Sequence, residues 1–243
     1  MKTPCGNCAR DSWTGYAMER TLDQRLEHLK SELLKMGGAV EESIAHAVKS
    51  LVDRDNDLAG AVISGGKTID EWEVTIEEDL LKLLAVTQPV AGDLRLIATV
   101  MKINYDLERI NDQSVNIAQR AFVLNRTSPL KPLIDIPRMA ELVRGMVKDA
   151  LDAFVNRNVD LANDVRRRDD VVDGLRDQIF RELLTYLHYR AETDAIDRAI
   201  HLILVSRHLE RMGDHASNIA ENAVYLVHGR IVRHQKENIG EEE

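Results

Sequence analysis

The chain has 243 residues, with 32 Lys+Arg against 41 Asp+Glu and a formal net charge of −9. That balance excludes direct nucleic-acid binding through the phosphate backbone, which needs a basic surface to displace counterions. Hydrophobic residues at 44% suffice for a packed core, while 4% aromatic residues, 5 Pro and 13 Gly favour helices over sheets.

Residues 1–17 differ in character from the rest of the chain and read as a flexible leader. They lack the apolar stretch of a secretion signal, and the chain has no run of about 18 apolar residues, so the expected location is cytoplasmic. Cys5 and Cys8 form a C-x-x-C, but neither the strand–helix setting of a redox motif nor two further zinc ligands accompany them. From Leu22 to about Asp55, apolar residues at Leu26, Leu29, Leu33, Ile44, Val48 and Leu51 predict an amphipathic helix, with a possible bend at Gly37 and Gly38. A second helix is predicted over about 57–85, with a weak point at Gly65 and Gly66 and a stop at Thr87, Gln88 and Pro89. A third, capped by Asp93, reaches about Asn125. The stretch TSPLKPLIDIP holds Pro129, Pro132 and Pro137 and reads as a linker. Three further helices are predicted over about 138–157, 159–189 and 193–228, ahead of an acidic tail.

The second set of helices repeats the first. At a shift of 103 residues, Met36, Val40, Ala47, Asp57, Leu58 and Asp70 meet Met139, Val143, Ala150, Asp160, Leu161 and Asp173. Past a one-residue deletion the shift becomes 102, and LERINDQSVNIAQRA (107–121) lies over LERMGDHASNIAENA (209–223). Unrelated sequences match at roughly one position in fifteen. The expected architecture is therefore all-α: two tandem antiparallel three-helix bundles related by internal duplication. The organisation is a leader over 1–17, repeat 1 over 18–126, a Pro-rich linker over 127–137, repeat 2 over 138–230 and an acidic tail over 231–243.

Glu108 and Asp112 stand four residues apart, as do Glu210 and Asp214. That spacing puts each pair on one helix face, where like charges repel by a few tenths of a kcal/mol. Asn116 and Asn218 extend the stripes by one turn. An oxygen-rich face of this kind suits hard or borderline cations. Surface salt bridges from Arg109, Arg207 and Arg211 would neutralise the same stripe without any metal. Duplication favours the metal reading, because random surface acids do not recur at matched positions. Glu73 and Glu77 on helix two, and Asp173 and Asp177 on its counterpart, are secondary candidates. His201, His208 and His215 recur every seven residues along one side of the last helix, as a metal-lining edge or a polar seam at a helix contact. No Glu-x-x-His pair, Gly-rich phosphate loop or nucleophile triad is recognisable, so no catalytic residue is assigned.

Over about residues 20–230 the chain resembles the PhoU family, most specifically in LLAVTQPVAGDLRLIATVMKINYDLERINDQSVNIA and HLILVSRHLERMGDHASNIAENA. The resemblance implies two three-helix repeats and a Glu/Asp-x-x-x-Asp motif that holds multinuclear metal clusters, here at Glu108–Asp112 and Glu210–Asp214. The implied cofactor is a divalent or trivalent ion: iron, zinc, manganese or magnesium. Also implied is a non-enzymatic, cytoplasmic negative regulator that docks on a phosphate-specific ABC transporter ATPase and a phosphate sensor histidine kinase. It would form a homodimer and meet the membrane only through those partners. Family copies often carry glycine just before the Asp; here Asn111 stands in the first repeat and Gly213 in the second. A carboxylate-bridged metal enzyme and a metal-free helical adaptor are the alternative readings.

Overall fold

The structure, a computed structural model, describes the backbone of residues 8–189 and 193–231, and the side chains of residues 22–188 and 194–231. Six helices follow one another: α1 Cys8–Val52, α2 Asn56–Val86, α3 Ala91–Leu124, α4 Asp135–Asn156, α5 Val159–Tyr189 and α6 Thr193–His228. The first turn of each repeat is built in the same way. The α1–α2 turn places Arg54 in the left-handed region, and the α4–α5 turn does the same with Arg157. One residue later a side chain caps the next helix. Asp55 accepts from the Leu58 amide at 2.9 Å, and Asn158 accepts from the Leu161 amide at 3.1 Å.

Helices α1, α3, α6 and α4 touch in a closed ring, since α3 packs on α6 and α1 on α4 as well as within each repeat. Helix α2 lies outside on α1 and α3, and α5 outside on α4 and α6. The two three-helix units therefore share one continuous apolar core, running from Leu33, Met36 and Ile44 through Ile103, Leu107 and Ile110 to Met139, Phe154, Leu209 and Met212. This joint burial removes from water the faces that either unit alone would leave exposed.

Several expected boundaries move. Helix α1 already runs from Cys8, where a leader was expected. Residues 1–7 with Cys5, and the side chain of Cys8, lie outside the described residues, as do residues 232–243 of the expected tail. Neither glycine pair interrupts its helix. Gly37 instead lets α1 approach α4, since a Cβ there would stand 2.4 Å from Leu151 Cδ1. Asp93 falls in the first turn of α3 rather than at its cap, which is Val90. The linker ends sooner than expected because Pro137 sits in the first turn of α4, where its missing N–H would find no helical acceptor anyway.

Candidate functional site

In repeat 1 the antiparallel packing of α2 on α3 brings Asp70 beside Glu108 and Asp112, one carboxylate oxygen of each lying within 4.8 Å of the others. Glu108 is the most enclosed of the three. Its side chain is 15% exposed, and its Oε2 is shut off from solvent without a hydrogen-bond partner. One cation answers this cluster: Arg109, at 3.0 Å from Glu108 Oε2 and 3.2 Å from Asp112 Oδ2, its guanidinium lying over the Tyr105 ring. It does not suffice. Desolvation, with Asp112 as the next cause, pushes the Glu108 carboxyl up to about 6 against the pull of Arg109. Burial and then Asp112 raise Asp70, while desolvation and then Glu77 raise Glu73.

Sequence reasoning missed Asp70, although the signal was present: it recurs as Asp173 under the 103-residue shift. The same shift corrects the helix-two pairing, because Glu73 corresponds to Arg176 rather than to an acid. Glu73 stands next to the cluster, with its backbone carbonyl accepting from Asn104 Nδ2 at 2.9 Å. Glu77 lies farther along α2, on a groove of about 410 Å³ that Asn104, Asp106, His215 and Asn218 also line.

Repeat 2 uses the same backbone differently. Arg176 reaches Glu210 at 2.6 Å, Asp173 at 3.4 Å and Asp177 at 2.9 Å, so these acids share a counter-ion held on α5. Asp214 is left to its neighbours. Desolvation in the α5–α6 cleft, then Asp169, Glu210 and Asp173, push it up to about 6, although its side chain keeps an exposed edge. The Arg207–Glu210 and Arg211–Asp214 bridges of the metal-free alternative do not form among the described residues; Arg176 pairs with Glu210 instead. The departure at Asn111 also has a packing reason. Asn111 on α3 lies across from Gly66 on α2, where a Cβ would stand 3.7 Å from its Nδ2. In repeat 2 the small residue has changed helix, and Gly213 on α6 faces the buried Asp169 on α5.

The histidines form a polar seam between α3 and α6. His208 Nδ1 meets Gln113 Oε1 at 2.8 Å, and His215 Nδ1 meets Asp106 Oδ1 at 2.9 Å. Under the 102-residue shift Asp106 corresponds to His208 and Gln113 to His215, so the two contacts are related by the duplication. Asn218 does not extend the acidic stripe but turns into this seam, within 3.5 Å of Asp106 Oδ1. Burial holds His208 down at about 4, with Arg120, Arg211 and Arg207 adding to the effect.

A family model, the PhoU domain, matches twice, over residues 33–121 and 136–223. The chain belongs to the PhoU family. It is 44% identical over 214 residues to a phosphate-specific transport system accessory protein PhoU homolog of Aquifex aeolicus, a match covering 88% of this chain and 96% of that one. The homolog of the same description from Pseudomonas aeruginosa is 40% identical over 227 residues, 93% of this chain and 92% of its own. The crystal structure of PhoU from Pseudomonas aeruginosa superposes with a TM-score of 0.81 at 40% identity, over 86% of this chain and 99% of that one. The phosphate transport system regulatory protein PhoU from Streptococcus pneumoniae gives 0.79 at 26% identity, over 87% and 99%. PhoU relatives are accessory and regulatory proteins, and the all-helical duplicated fold is theirs. Among the described residues no helix is long and apolar enough to cross a membrane.

Proposed function

We propose that this protein is a metal-binding, non-enzymatic negative regulator of phosphate uptake and of phosphate-starvation signalling. It acts in the cytoplasm as a homodimer, docking on a phosphate-specific ABC transporter ATPase and on a phosphate sensor histidine kinase. The names of its relatives support the phosphate-transport setting. The observation that carries the metal reading is the convergence of Asp70, Glu108 and Asp112, with a Glu108 oxygen that is shut off from solvent and answered only by Arg109. Three carboxylates around one point, answered by a single half-exposed arginine, offer the hard-oxygen donor set that magnesium, manganese or iron take, and zinc accepts carboxylates too. Glu210 and Asp214 would serve the second face, with Asp173 behind them.

A bound ion would supply positive charge at the acidic face, and so change which partner surface that face attracts. The chain's own contribution is to hold the carboxylates together on two rigid helices before any ion arrives. Elemental analysis of the purified protein, beside a Glu108→Gln/Glu210→Gln variant, tests this. Metal bound to the native chain and lost from the variant, with helicity unchanged, is the expected result. Metal retained in the variant, or bound by neither protein, would overturn it.

A further inference from the structure

The groove that Glu77 borders lies beside the Asp70–Glu108–Asp112 cluster but shares none of its three acids. It measures about 410 Å³ and is lined from three helices, by Glu73 and Glu77 of α2, Asn104 and Asp106 of α3, and His215 and Asn218 of α6. Pockets that hold small organic ligands span roughly 300–1,000 Å³. Its polar groups are mostly acceptors. Asn104 is 1% exposed and spends its Nδ2 on the Glu73 carbonyl, so its Oδ1 is left shut off from solvent without a donor. A buried acceptor of this kind is unfavourable until something donates to it. Asp106 is also buried, and its Oδ1 holds His215 Nδ1 at 2.9 Å. A carboxylate only accepts, so Nδ1 is the donor and the neutral imidazole keeps Nε2 as a further acceptor. The one cation lining the groove among the described residues is Lys102, whose Nζ sits over the Tyr225 ring of α6, 5.1 Å from its centroid.

The duplication supplies an internal comparison. At the equivalent positions of the other repeat, Glu73 and Glu77 become Arg176 and Phe180, and Asp106 becomes His208. Asn104 becomes Ser206, whose hydroxyl is satisfied on its own helix by the Ile203 carbonyl at 2.9 Å. The acceptor set, with its unsatisfied amide oxygen, therefore belongs to one end of the molecule and is not a demand of the fold. The set is too spread out for one metal ion. Among the described residues, Asp70, Glu108 and Asp112 alone bring three ligand atoms within 4.8 Å of one another. Separate acceptors on three helices suit instead an organic cation with several N–H donors. A guanidinium presents five of them in a planar fork, whereas an ammonium is a compact point charge.

We propose that this groove binds an aliphatic guanidinium, the group an arginine side chain carries, with Asp106, Glu73 and Glu77 answering its charge and Asn104 Oδ1 accepting one of its N–H donors. The site needs no metal and does not rest on the metal reading. Saturation-transfer NMR on the full chain tests it, with a chelator present and at about pH 8, above the ordinary titration range of imidazole. The probes are n-butylguanidinium and n-butylammonium, which share charge and stem. Saturable binding of the guanidinium is expected with a Kd on the order of 1 mM or tighter, and the ammonium should bind about fivefold or more weakly. Asp106→Asn, which keeps an acceptor for His215 Nδ1, should weaken binding about tenfold, and Glu73→Gln/Glu77→Gln about threefold or more, with folding checked by circular dichroism. Glu78→Gln, an exposed acid paired with Lys82 outside the groove, should bind as the native chain does. Nα-acetyl-arginine methylamide carries the same group on a peptide unit. Its binding as tightly as n-butylguanidinium would support a protein side chain as the source, and its exclusion would support a free small guanidine. No saturable binding of n-butylguanidinium up to about 20 mM would overturn the proposal. So would equal affinity for n-butylammonium, or binding that survives both variants.

Discussion

Replacing Glu108 by glutamine should stabilise the metal-free protein, because the native carboxylate is held where its charge is unfavourable. The carboxyl is displaced from its ordinary 4.5 to about 6. That gap corresponds to ~2 kcal/mol, with little discount for solvent screening because the side chain is 15% exposed. The folded pKa lies above the unfolded one, so between pH 4.5 and 6 the native state binds more protons, and its stability falls as the pH rises. The uncharged glutamine lacks this dependence. The advantage of Glu108→Gln should therefore be small below pH 4.5, grow through the window and level off at ~2 kcal/mol above pH 6. For a chain of this size that is a rise of about 4–8 °C in melting temperature. The ~2 kcal/mol is already net of the pairing with Arg109, whose pull opposes the displacement. Urea unfolding followed by circular dichroism in EDTA, from pH 4 to pH 8, measures the difference. A variant less stable than the native chain at pH 8, or a difference that does not change with pH, would refute the reasoning.

Asp214→Asn should behave in the same sense with a smaller amplitude, since that carboxylate keeps an exposed edge; the gain appears as the pH rises from 3.8 to about 6, read by the same titration. Gly37→Ala should lower stability by ~1 kcal/mol in thermal unfolding. The new Cβ meets Leu151 Cδ1 at 2.4 Å, and overpacking of ~1–3 kcal/mol exceeds the ~0.5–1 kcal/mol that alanine gains over glycine in a helix. Arg176→Glu restores in repeat 2 the residue type of Glu73, and in a Glu108→Gln background it should tighten metal binding at Glu210 and Asp214. A metal titration showing unchanged affinity would remove Arg176 as the competitor for that face.

Much of the architecture was legible because it rests on periodicity, which the sequence displays directly. The apolar rows through Leu26, Leu33 and Ile44, and their recurrence at a shift of 103, point to six helices in two sets. The matched caps at Asp55 and Asn158 arise from that recurrence. What periodicity does not carry is distance between helices. Gly37 and Gly66 look like weak points along one chain, yet they are close approaches between two. The spacing of Glu108 and Asp112 is local and could be read, whereas the arrival of Asp70 depends on the register of α2 on α3. Glu77 and Asp177 illustrate the converse. Both lie on the expected helices, but Glu77 borders the groove that Asp106 and His215 also line, and Asp177 pairs with Arg176.

The divergence between the repeats is concentrated where the helices face one another. At the α2–α3 contact Gly66 faces Asn111, and at the α5–α6 contact Asp169 faces Gly213, so one small residue is kept but its helix is exchanged. That exchange removes a buried carboxylate from repeat 1 and adds one to repeat 2, beside Asp214. Glu73 giving way to Arg176 shifts the charge of the second face in the opposite direction, and the two changes compensate. The seam shows no such compensation. Asp106 and His208 occupy equivalent places, so the same backbone position carries a carboxylate at one end of the α3–α6 contact and an imidazole at the other. A duplicated scaffold that needed only its core would constrain these seam positions to polar residues of similar size. A carboxylate and an imidazole on equivalent backbone make the two ends of the seam chemically distinct, while α3 and α6 bury one core between them.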